Sequence, residues 1–315
     1  MKSMLLEKGL IPLFALALLL FTQCAKDDAD TENVRLEITD APIDDANIQG
    51  AFVTIANVKI DGENMSGFTG RQTIDLMAYQ QGNVKSLGVG KLNAGSHSNI
   101  TLVLDYDADA SGNNPGCYVL TSDGVKHALQ SSANTTAEIT TAANFVTTED
   151  NRTDLVLDFD VRKAIGYAGG GGASQYQFND NAQLNASVRV VNKAQTGTIK
   201  GTCTDALSTS EKFVVYAYTK GSFNATTEKQ GPVQFKNAVT SAVVDAQGNY
   251  TLSFLEAGDY ELHFIGYEDA NNDGKFELEG SLLLNIAGAL DIANITVGAK
   301  TTLTVDVVVT GILPL

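Results

Sequence analysis

The 315-residue chain contains no tryptophan, only three histidines and only three cysteines. The histidines, His97, His127 and His263, lie far apart in the sequence, so a histidine-based catalytic centre has no partner nearby in the chain. Basic residues are also scarce, because 21 Lys and Arg stand against 37 Asp and Glu, for a formal net charge of −16. This imbalance argues against nucleic acid as a partner, since phosphate backbones are bound by concentrated Lys and Arg. It argues equally against docking on an anionic lipid surface through a basic patch.

The N-terminus carries a long apolar run. Lys2 and Lys8 precede an apolar stretch that ends at Phe21. About a dozen apolar residues behind a short basic start are typical of a secretory signal peptide, whereas a membrane-spanning helix needs about 20. We therefore predict a signal peptide over residues 1–23, with an uncleaved anchor as the alternative.

Cys24 directly follows this run. The sequence FTQC at residues 21–24 resembles the lipobox of bacterial lipoproteins, in which signal peptidase cuts before the cysteine and the sulfur carries diacylglycerol. The resemblance implies lipidation of Cys24 with fatty acyl chains such as palmitate, and hence an outer-membrane lipoprotein. Two or more acyl chains anchor a protein stably, because each buried methylene contributes about 0.8 kcal/mol.

Residues 24–33 form a tether rich in acidic side chains, with Lys26 followed by Asp27 and Asp28. A lysine and two acids just behind a lipidated cysteine resemble the lipoprotein export signal of Bacteroidota. That resemblance implies display at the cell surface. The alternative is a solvated charged tether without an export role, which any lipoprotein could carry.

The rest of the chain is predicted to consist of short β-strands. Segments rich in Val, Ile, Thr, Tyr and Phe alternate apolar with polar residues, and turn clusters such as SGNNPG and AQGN separate them. No stretch keeps a helical apolar period for three turns, which favours β-sandwiches over a β–α–β fold. We predict an all-β protein with two β-sandwich domains of the Ig or transthyretin-like kind, over residues 34–193 and 198–315. Short helices are expected only near residues 84–92 and 161–165.

The first domain resembles the domain of unknown function 4382. The resemblance rests on LEITDAPIDD, in which a Thr-Asp-Ala-Pro turn follows a strand, on the later LNAGSHSNITLVLD and LVLDFDVRKAI, and on a final LNASVRVVN. That family occurs in secreted and lipidated bacterial and archaeal proteins without established enzymatic activity, so the resemblance implies no catalytic residue. Pro42 presets φ and Asp40 can accept from backbone amides. We predict a structural turn at these two residues, with ligand contact as the alternative.

The second domain resembles carboxypeptidase regulatory-like and transthyretin-like domains. The resemblance rests on a repeated Gly-x-Tyr-x-Leu pattern, in GNYTL at residues 248–252 and GDYEL at residues 258–262. Such modules often serve surface proteins as stalks or adhesive units, and some relatives of the fold bind starch. The lack of a stacking tryptophan weakens a carbohydrate-binding role.

A metal-ligand motif lies within the second domain, in DANNDGKFE at residues 269–277. Oxygen-bearing side chains stand at positions one, three, five and nine, which are Asp269, Asn271, Asp273 and Glu277. With glycine at position six, this spacing is the first half of a calcium loop. Position twelve is Gly280 instead of glutamate and the flanks resemble strands, so an EF-hand is excluded. We predict calcium in a strand–loop–strand hairpin, with a plain Asn-Asp-Gly turn as the alternative.

Two strand ends nearly repeat each other, LVLDYD at residues 102–107 and LVLDFD at residues 155–160. Strand alternation places Asp105 with Asp107 on one face, and Asp158 with Asp160 on another. If the two ends lie side by side, the four carboxylates converge and need a cation. The alternative is a pair of solvated strand ends.

These features together predict a non-enzymatic lipoprotein of the outer membrane, exposed at the cell surface, that acts in adhesion, scaffolding or ligand capture. Its partners would be the membrane, through the lipid, and a glycan or protein ligand. One alternative is a carbohydrate-binding module for nutrient capture, which needs an exposed aromatic platform from Tyr and Phe. Another is a hydrolase using Asp105 or Asp158, which needs two acids about 5–10 Å apart in a cleft.

Overall fold

β-Strands make up nearly all the regular structure that is described. In this computed structural model the described residues are 32–41, 48–130, 138–167, 176–231, 233–271, 276–288 and 290–314. The predicted signal peptide with Cys24, and the predicted site residues Pro42 and Asp273, lie outside these ranges. The prediction of an all-β protein is confirmed.

The first thirteen strands form two facing sheets and a small hairpin. They are β1 (Val34–Ala41), β2 (Ile48–Ile60), β3 (Glu63–Asn64), β4 (Gln72–Asp75), β5 (Lys85–Gly90), β6 (Gly95–Leu104), β7 (Tyr118–Thr121), β8 (Lys126–Ala128), β9 (Glu138–Thr147), β10 (Thr153–Asp160), β11 (Ile165–Tyr167), β12 (Tyr176–Phe178) and β13 (Val188–Asn192). One sheet has the order β13-β10-β1-β5, and the other has the order β8-β7-β2-β6-β9 with β3 and β4 beside β2. Leu36 and Leu157 from the first sheet and Val53 and Leu102 from the second share one buried core. The arrangement is a β-sandwich.

Two short helices accompany this sandwich, α1 (Val161–Ala164) and α2 (Asn181–Ala186), with a 3₁₀ turn at Leu76–Ala78. The helix predicted near residues 161–165 is confirmed by α1. The helix predicted near residues 84–92 is wrong, because these residues form the edge strand β5. Gly88 and Gly90 explain the difference, since glycine disfavours helix and lets this strand lie against the backbone of Gly67.

The pairing of β1 with β10 is parallel, and it sets Thr39 beside Asp158 and Asp40 beside Phe159. Both strands are buried along nearly their whole length. A parallel strand that is covered on both faces has an almost continuous apolar sequence. The aspartates at the ends of these two strands are therefore carried into the interior, where Asp40, Asp158 and Asp160 are each 5% exposed.

The remaining strands form one large sheet. They are β14 (Thr196–Thr204), β15 (Lys212–Thr219), β16 (Thr240–Val243), β17 (Asn249–Glu256), β18 (Gly258–Glu268), β19 (Glu277–Ile286), β20 (Ile295–Val297), β21 (Thr302–Thr304) and β22 (Val307–Pro314), with the helix α3 (Ala225–Glu228). Their order is β16-β15-β18-β19-β22-β14-β17, with β20 beside β18 and β21 beside β14. The end strands β16 and β17 contact each other, so the sheet folds over a core that includes Ile199, Leu252 and Phe264.

Strand β15 is buried on both faces. Val215 and Ala217 face the main core of this sheet, whereas Tyr216 and Tyr218 lie in a second cluster with Phe235. The period-2 alternation of a strand explains this division. We call strands β1 to β13 the first sheet system and strands β14 to β22 the second. The cluster around Tyr216 lies beside the junction between them.

A 3₁₀ turn at Lys193–Gln195 joins β13 to β14, and residues 31–315 form one compact unit. Cys117 and Cys203 are both buried and unpaired. Within the described residues, the helices are all too short to cross a bilayer.

Strand β14 passes close to the chain that leads into β22, and Gly201 has no room there for a side chain. A Cβ at Gly201 would overlap the carbonyl oxygen of Val305. We expect Gly201→Ala to lower the free energy of unfolding by about 3 kcal/mol, the upper end of the usual range for overpacking, as measured by urea denaturation. Gly258→Ala is the matched control, because its Cβ meets nothing closer than Tyr260 at 3.8 Å. Equal losses in the two variants would contradict this assignment.

Candidate functional site: a buried charge cluster between the two sheet systems

Six charged side chains meet where β1, β10, α1 and β13 come together. We call this group the junction cluster, and it consists of Asp40, Asp158, Asp160, Arg162, Lys163 and Arg189. The local sequence explains its position, because the polar residues directly follow the buried runs of β1 and β10 and continue into the single turn of α1. Charged groups at such depth are costly unless each one is paired.

Within the junction cluster, cations and carboxylates form short ion pairs. Arg162 holds Asp160 through two bonds, from Nη2 to Oδ2 at 2.7 Å and from Nε to Oδ1 at 3.1 Å. Lys163 Nζ lies 3.3 Å from the same Oδ2, and Arg189 Nη2 lies 2.6 Å from Asp158 Oδ2. The two-point contact of Arg162 is the geometry in which arginine binds carboxylates most strongly.

Each cation of the junction cluster also donates to a backbone carbonyl of the second sheet system. Arg162 Nη1 lies 3.4 Å from the oxygen of Gln234, and Lys163 Nζ lies 3.0 Å from that of Ala238. Arg189 Nη1 lies 2.9 Å from the oxygen of Phe254. The guanidinium of Arg162 further lies over the ring of Tyr216, 5.1 Å from its centroid, which adds a cation–π contact.

The three cations therefore bind carboxylates of the first sheet system on one side and carbonyls of the second on the other. Carbonyl oxygens keep part of their hydrogen-bonding capacity free at a sheet edge or turn, and a cation is a strong donor for it. The junction cluster thus acts as an ionic clamp between the two sheet systems.

Asp40 differs from the other two carboxylates because its hydrogen-bond donors among the described residues are neutral. Its Oδ2 accepts from Gln80 Nε2 and its Oδ1 accepts from the backbone N–H of Val161, both at 3.2 Å. Burial raises the pKa of Asp40 well above its ordinary value, and the charges of Asp160 and Asp158 add to the rise. For Asp160, burial opposes ionisation, but Arg162 and Lys163 outweigh it and hold the pKa below the ordinary value.

The two repeated strand ends lie in different sheets, so the condition for their four carboxylates to converge is not met. Asp105 follows β6 in the opposite sheet, where it pairs with Arg71 at 2.8 Å and caps the amides of Asp107 and Ala108. The alternative of solvated strand ends also fails for Asp158 and Asp160, which are buried. Sequence reasoning missed that their charges lie near that of Asp40, although a run of charges at the ends of two buried strands was the available signal.

A second polar group resembles a hydrolase triad in outline. His97 Nδ1 lies 2.8 Å from Asp61 Oδ2, and His97 Nε2 lies 3.0 Å from Thr147 Oγ1. However, Thr147 is 1% exposed and its hydroxyl donates to the carbonyl of Asn93 at 2.9 Å. Hydrogen bonds led by that from the Ser98 amide lower the pKa of Asp61 to about 2. The group links the turn at Asp61 to strands β6 and β9, and its hydroxyl is buried and already bonded.

Of the predicted calcium residues, Asp269 and Asn271 follow β18 and Glu277 begins β19, whereas Asp273 lies outside the described residues. Glu277 accepts from the side chain of Asn271 and from the amide of Ala270, both at 3.2 Å, and Glu211 accepts from the amide of Asp269 at 3.4 Å. The loop's beginning is therefore already tied to Glu277. In the described part of the chain, which excludes Asp273, no three or more His, Cys, Asp and Glu side chains are grouped to hold a metal ion.

The described surface exposes few aromatic side chains on which a sugar ring could stack. Among the large apolar side chains that are exposed there, Tyr167 is the aromatic one, at 47% exposure, and it packs edge-on against Tyr176. The others are aliphatic, with Leu313 and Leu207 the most exposed leucines.

The family model of the domain of unknown function DUF4382 matches residues 31–179. This match confirms the resemblance of the N-terminal region, and it includes β1, β10 and α1 but ends before Arg189. The resemblance of residues 198–315 to carboxypeptidase regulatory-like domains stays a prediction. No curated protein matches the chain.

Several solved structures are similar to the chain at low identity. They include the Bacillus anthracis TIE protein (11% identity, covering 88% of this chain and 34% of that one, TM-score 0.21). The minor pilin of Streptococcus agalactiae (12%, 90% and 98%, TM-score 0.22) and the shaft pilin of Lactobacillus rhamnosus GG (11%, 89% and 99%, TM-score 0.20) are further examples. The chain thus spans about a third of the TIE protein. These TM-scores are too low to establish a common fold.

Removing the cation at the centre of the junction cluster should destabilise the protein strongly. We expect Arg162→Met to lower the free energy of unfolding by about 3 kcal/mol, because it leaves the buried carboxylate of Asp160 with Lys163 alone. Arg71→Met is the matched control, since the Arg71–Asp105 pair is partly exposed and such pairs contribute about 0–1 kcal/mol. Chemical denaturation of both variants measures the difference, and a loss for Arg162→Met no larger than the control's would refute the clamp.

Proposed function

We propose that the protein is a non-enzymatic, lipid-anchored scaffold that presents its two β-sandwich systems as one stiff body at the outer surface of the cell. The junction cluster is the observation that supports this role. Neighbouring domains in a chain ordinarily move relative to each other unless their contact is extensive. Here three cations bridge the contact, and hydrogen bonds of charged groups contribute about 1.5–3 kcal/mol each.

The same geometry weighs against carboxylate catalysis. Asp158 and Asp160 are occupied by Arg189 and Arg162, and Asp105 is occupied by Arg71. A general acid or base must reach a substrate and exchange its proton. Asp158 and Asp160 hold ion pairs in the interior and do not meet this requirement, and the partly exposed Asp105 is engaged by Arg71. A structural role is therefore favoured over the hydrolase alternative.

A protein ligand is favoured over a glycan for the exposed surface of this scaffold. Sugar rings bind by stacking on flat aromatic side chains, and a platform needs more than one of them. Tyr167 supplies one exposed aromatic ring on the described surface. The strongly acidic composition also favours a ligand that is not itself anionic.

The anchor is proposed from the sequence of residues 1–33. The apolar run would direct export, Cys24 would carry the lipid, and the acidic tether would separate the β-sandwiches from the bilayer. A scaffold needs such a fixed point, because stiffness matters only when one end of the body is held.

Cys24→Ser should abolish attachment to the membrane. When the full chain is expressed in a bacterium that processes lipoproteins, we expect the wild type to incorporate labelled palmitate and to sediment with membranes. The serine variant should do neither, because the acyl chains would have no sulfur to join. Cys203→Ser is the control and should keep the label, since that thiol is 3% exposed in the second sheet system.

Unchanged labelling of Cys24→Ser would refute the lipid anchor. Surface display is tested on the same cells by adding protease before and after the outer membrane is broken. Cleavage in intact cells supports display at the surface, whereas cleavage only after breakage places the protein on the inner side.

We also propose a calcium ion in the hairpin at residues 269–277, with Asp269, Asn271, Asp273 and Glu277 as ligands. The donor types support it, because calcium prefers carboxylate and amide oxygens. The bonds of Ala270 and Asn271 to Glu277 support it further, since they bring the second and third positions of the loop to the ninth.

Titration calorimetry tests this site. We expect calcium to release or absorb measurable heat with the wild type, and none with the double variant Asp269→Ala, Asp273→Ala. Asp291→Ala, in another turn of the same sheet system, is the control and should bind as the wild type does. Equal, negligible heats for all three proteins would exclude calcium.

A further inference from the structure

A cleft with cationic walls lies at the start of β10, at the opposite end of that strand from the junction cluster. Its volume is about 320 Å³, at the lower end of the range for small-molecule sites. Residues 152–154 before and in β10, residues 192–194 at the end of β13, and Lys300 line it. The backbone N–H of Lys300 donates to the carbonyl of Thr196 at 2.7 Å, so the second sheet system supplies one wall of the cleft.

Three of the residues that line the cleft are cations, and their donors are only partly used. Arg152 Nε donates to Asp154 Oδ1 at 2.8 Å, which leaves the two Nη groups of the same guanidinium for another acceptor. Lys193 Nζ lies 2.7 Å from Glu37 Oε2, and this pair occupies one of its three N–H donors. The side chain of Lys300 is exposed, and no carboxylate of the described residues lies within ion-pair distance of it.

A fourth cation, Arg35, lies on the same face of the first sheet. The parallel pairing of β1 with β10 sets Arg35 beside Asp154. Strand alternation also puts Arg35 on the face of Glu37, which reaches Lys193. Arg35 Nε is buried and has no hydrogen-bond partner within the described protein. Buried donors are normally satisfied, so this nitrogen is available to an acceptor that enters from outside the chain.

The charge balance at the cleft is opposite to that of the whole chain. Its four cations stand against two carboxylates, those of Glu37 and Asp154, which leaves a net charge of +2. The chain as a whole carries −16. The surrounding carboxylates and dissolved salt limit attraction at long range, so the local cations act on an anion only when it is close. An anion with two charges neutralises the cleft completely.

We propose that this cleft binds a doubly charged oxyanion of the sulfate or phosphate kind, held by Arg152, Lys193 and Lys300, with Arg35 as a further donor on the same face. Such an anion accepts several charged hydrogen bonds at once, and a guanidinium group can bind it through two parallel donors. The site is separate from the proposed surface for a protein ligand. It does not rest on the scaffold role, the lipid anchor or calcium.

Titration calorimetry with sodium sulfate tests the site on the full chain, kept in solution by a neutral detergent at constant ionic strength. We expect sulfate to bind the wild type, and to bind Lys300→Met about tenfold more weakly, because one charged hydrogen bond is lost. Arg35→Met should weaken binding in the same way. Neither cation holds a carboxylate in an ion pair of the described residues, so both variants should fold.

Lys200→Met is the matched control for both variants. Lys200 is an exposed lysine of the second sheet system that does not line the cleft, and its loss changes the net charge equally. This variant should bind sulfate as the wild type does. Negligible heat with the wild type would overturn the site, and so would equal weakening in Lys200→Met, which would show attraction by overall charge. An unchanged affinity in Arg35→Met would exclude Arg35 from the site.

Two further anions define the charge and the kind of the ligand. Acetate should bind at least about tenfold more weakly than sulfate, because its single charge leaves the cleft half neutralised. Acetate binding as tight as that of sulfate would overturn the assignment to a dianion. The affinity for phosphate should rise from about pH 6 to about pH 8, as phosphate gains its second charge, and a constant affinity would contradict the proposal. Tighter binding of phosphate than of sulfate at the higher pH would assign the site to phosphate-bearing ligands, and the reverse order to sulfate-bearing ones.

Discussion

The parallel pairing of β1 with β10 brings the polar ends of two buried strands side by side in the interior of the protein. Asp40 and Asp158 would each be tolerable alone at a solvated strand end, but together with Asp160 they concentrate negative charge where water is excluded. Such a concentration persists only if cations come with it. The single turn of α1 and the neighbouring β13 supply them in Arg162, Lys163 and Arg189.

Those cations explain why the two sheet systems fit against each other. A guanidinium carries more donors than one carboxylate can accept, so Arg162 and Arg189 each have donors left over. Carbonyl oxygens of the second sheet system accept them, and Tyr216 covers the face of Arg162. Each sheet system thus completes the hydrogen bonding of the other, and this mutual need is the physical basis of the stiffness that the proposed scaffold role requires.

Burial, more than residue type, separates the structural from the chemical possibilities of the polar groups. Asp105 and Asp158 occur in almost the same local sequence, yet one pairs with Arg71 near the surface while the other is enclosed beside Asp40. In the same way, Thr147, His97 and Asp61 are arranged like a catalytic triad, but the Thr147 hydroxyl is buried and donates to the backbone carbonyl of Asn93. Similar sequence patterns therefore led to different surroundings, and the surroundings decide what each group can do.

The sequence by itself determined the all-β architecture, because strand alternation and turn residues are local properties, and it determined the resemblance of the first domain, which the match over residues 31–179 confirms. It also placed a helical turn after Asp160. It failed at β5, where Gly88 and Gly90 adopt a strand to fit against another backbone, and it failed for Asp158 and Asp160. Only the tertiary structure decided that these carboxylates meet Asp40, since period-2 alternation tells which face a side chain occupies but not which strand, more than a hundred residues away in the chain, lies next to it.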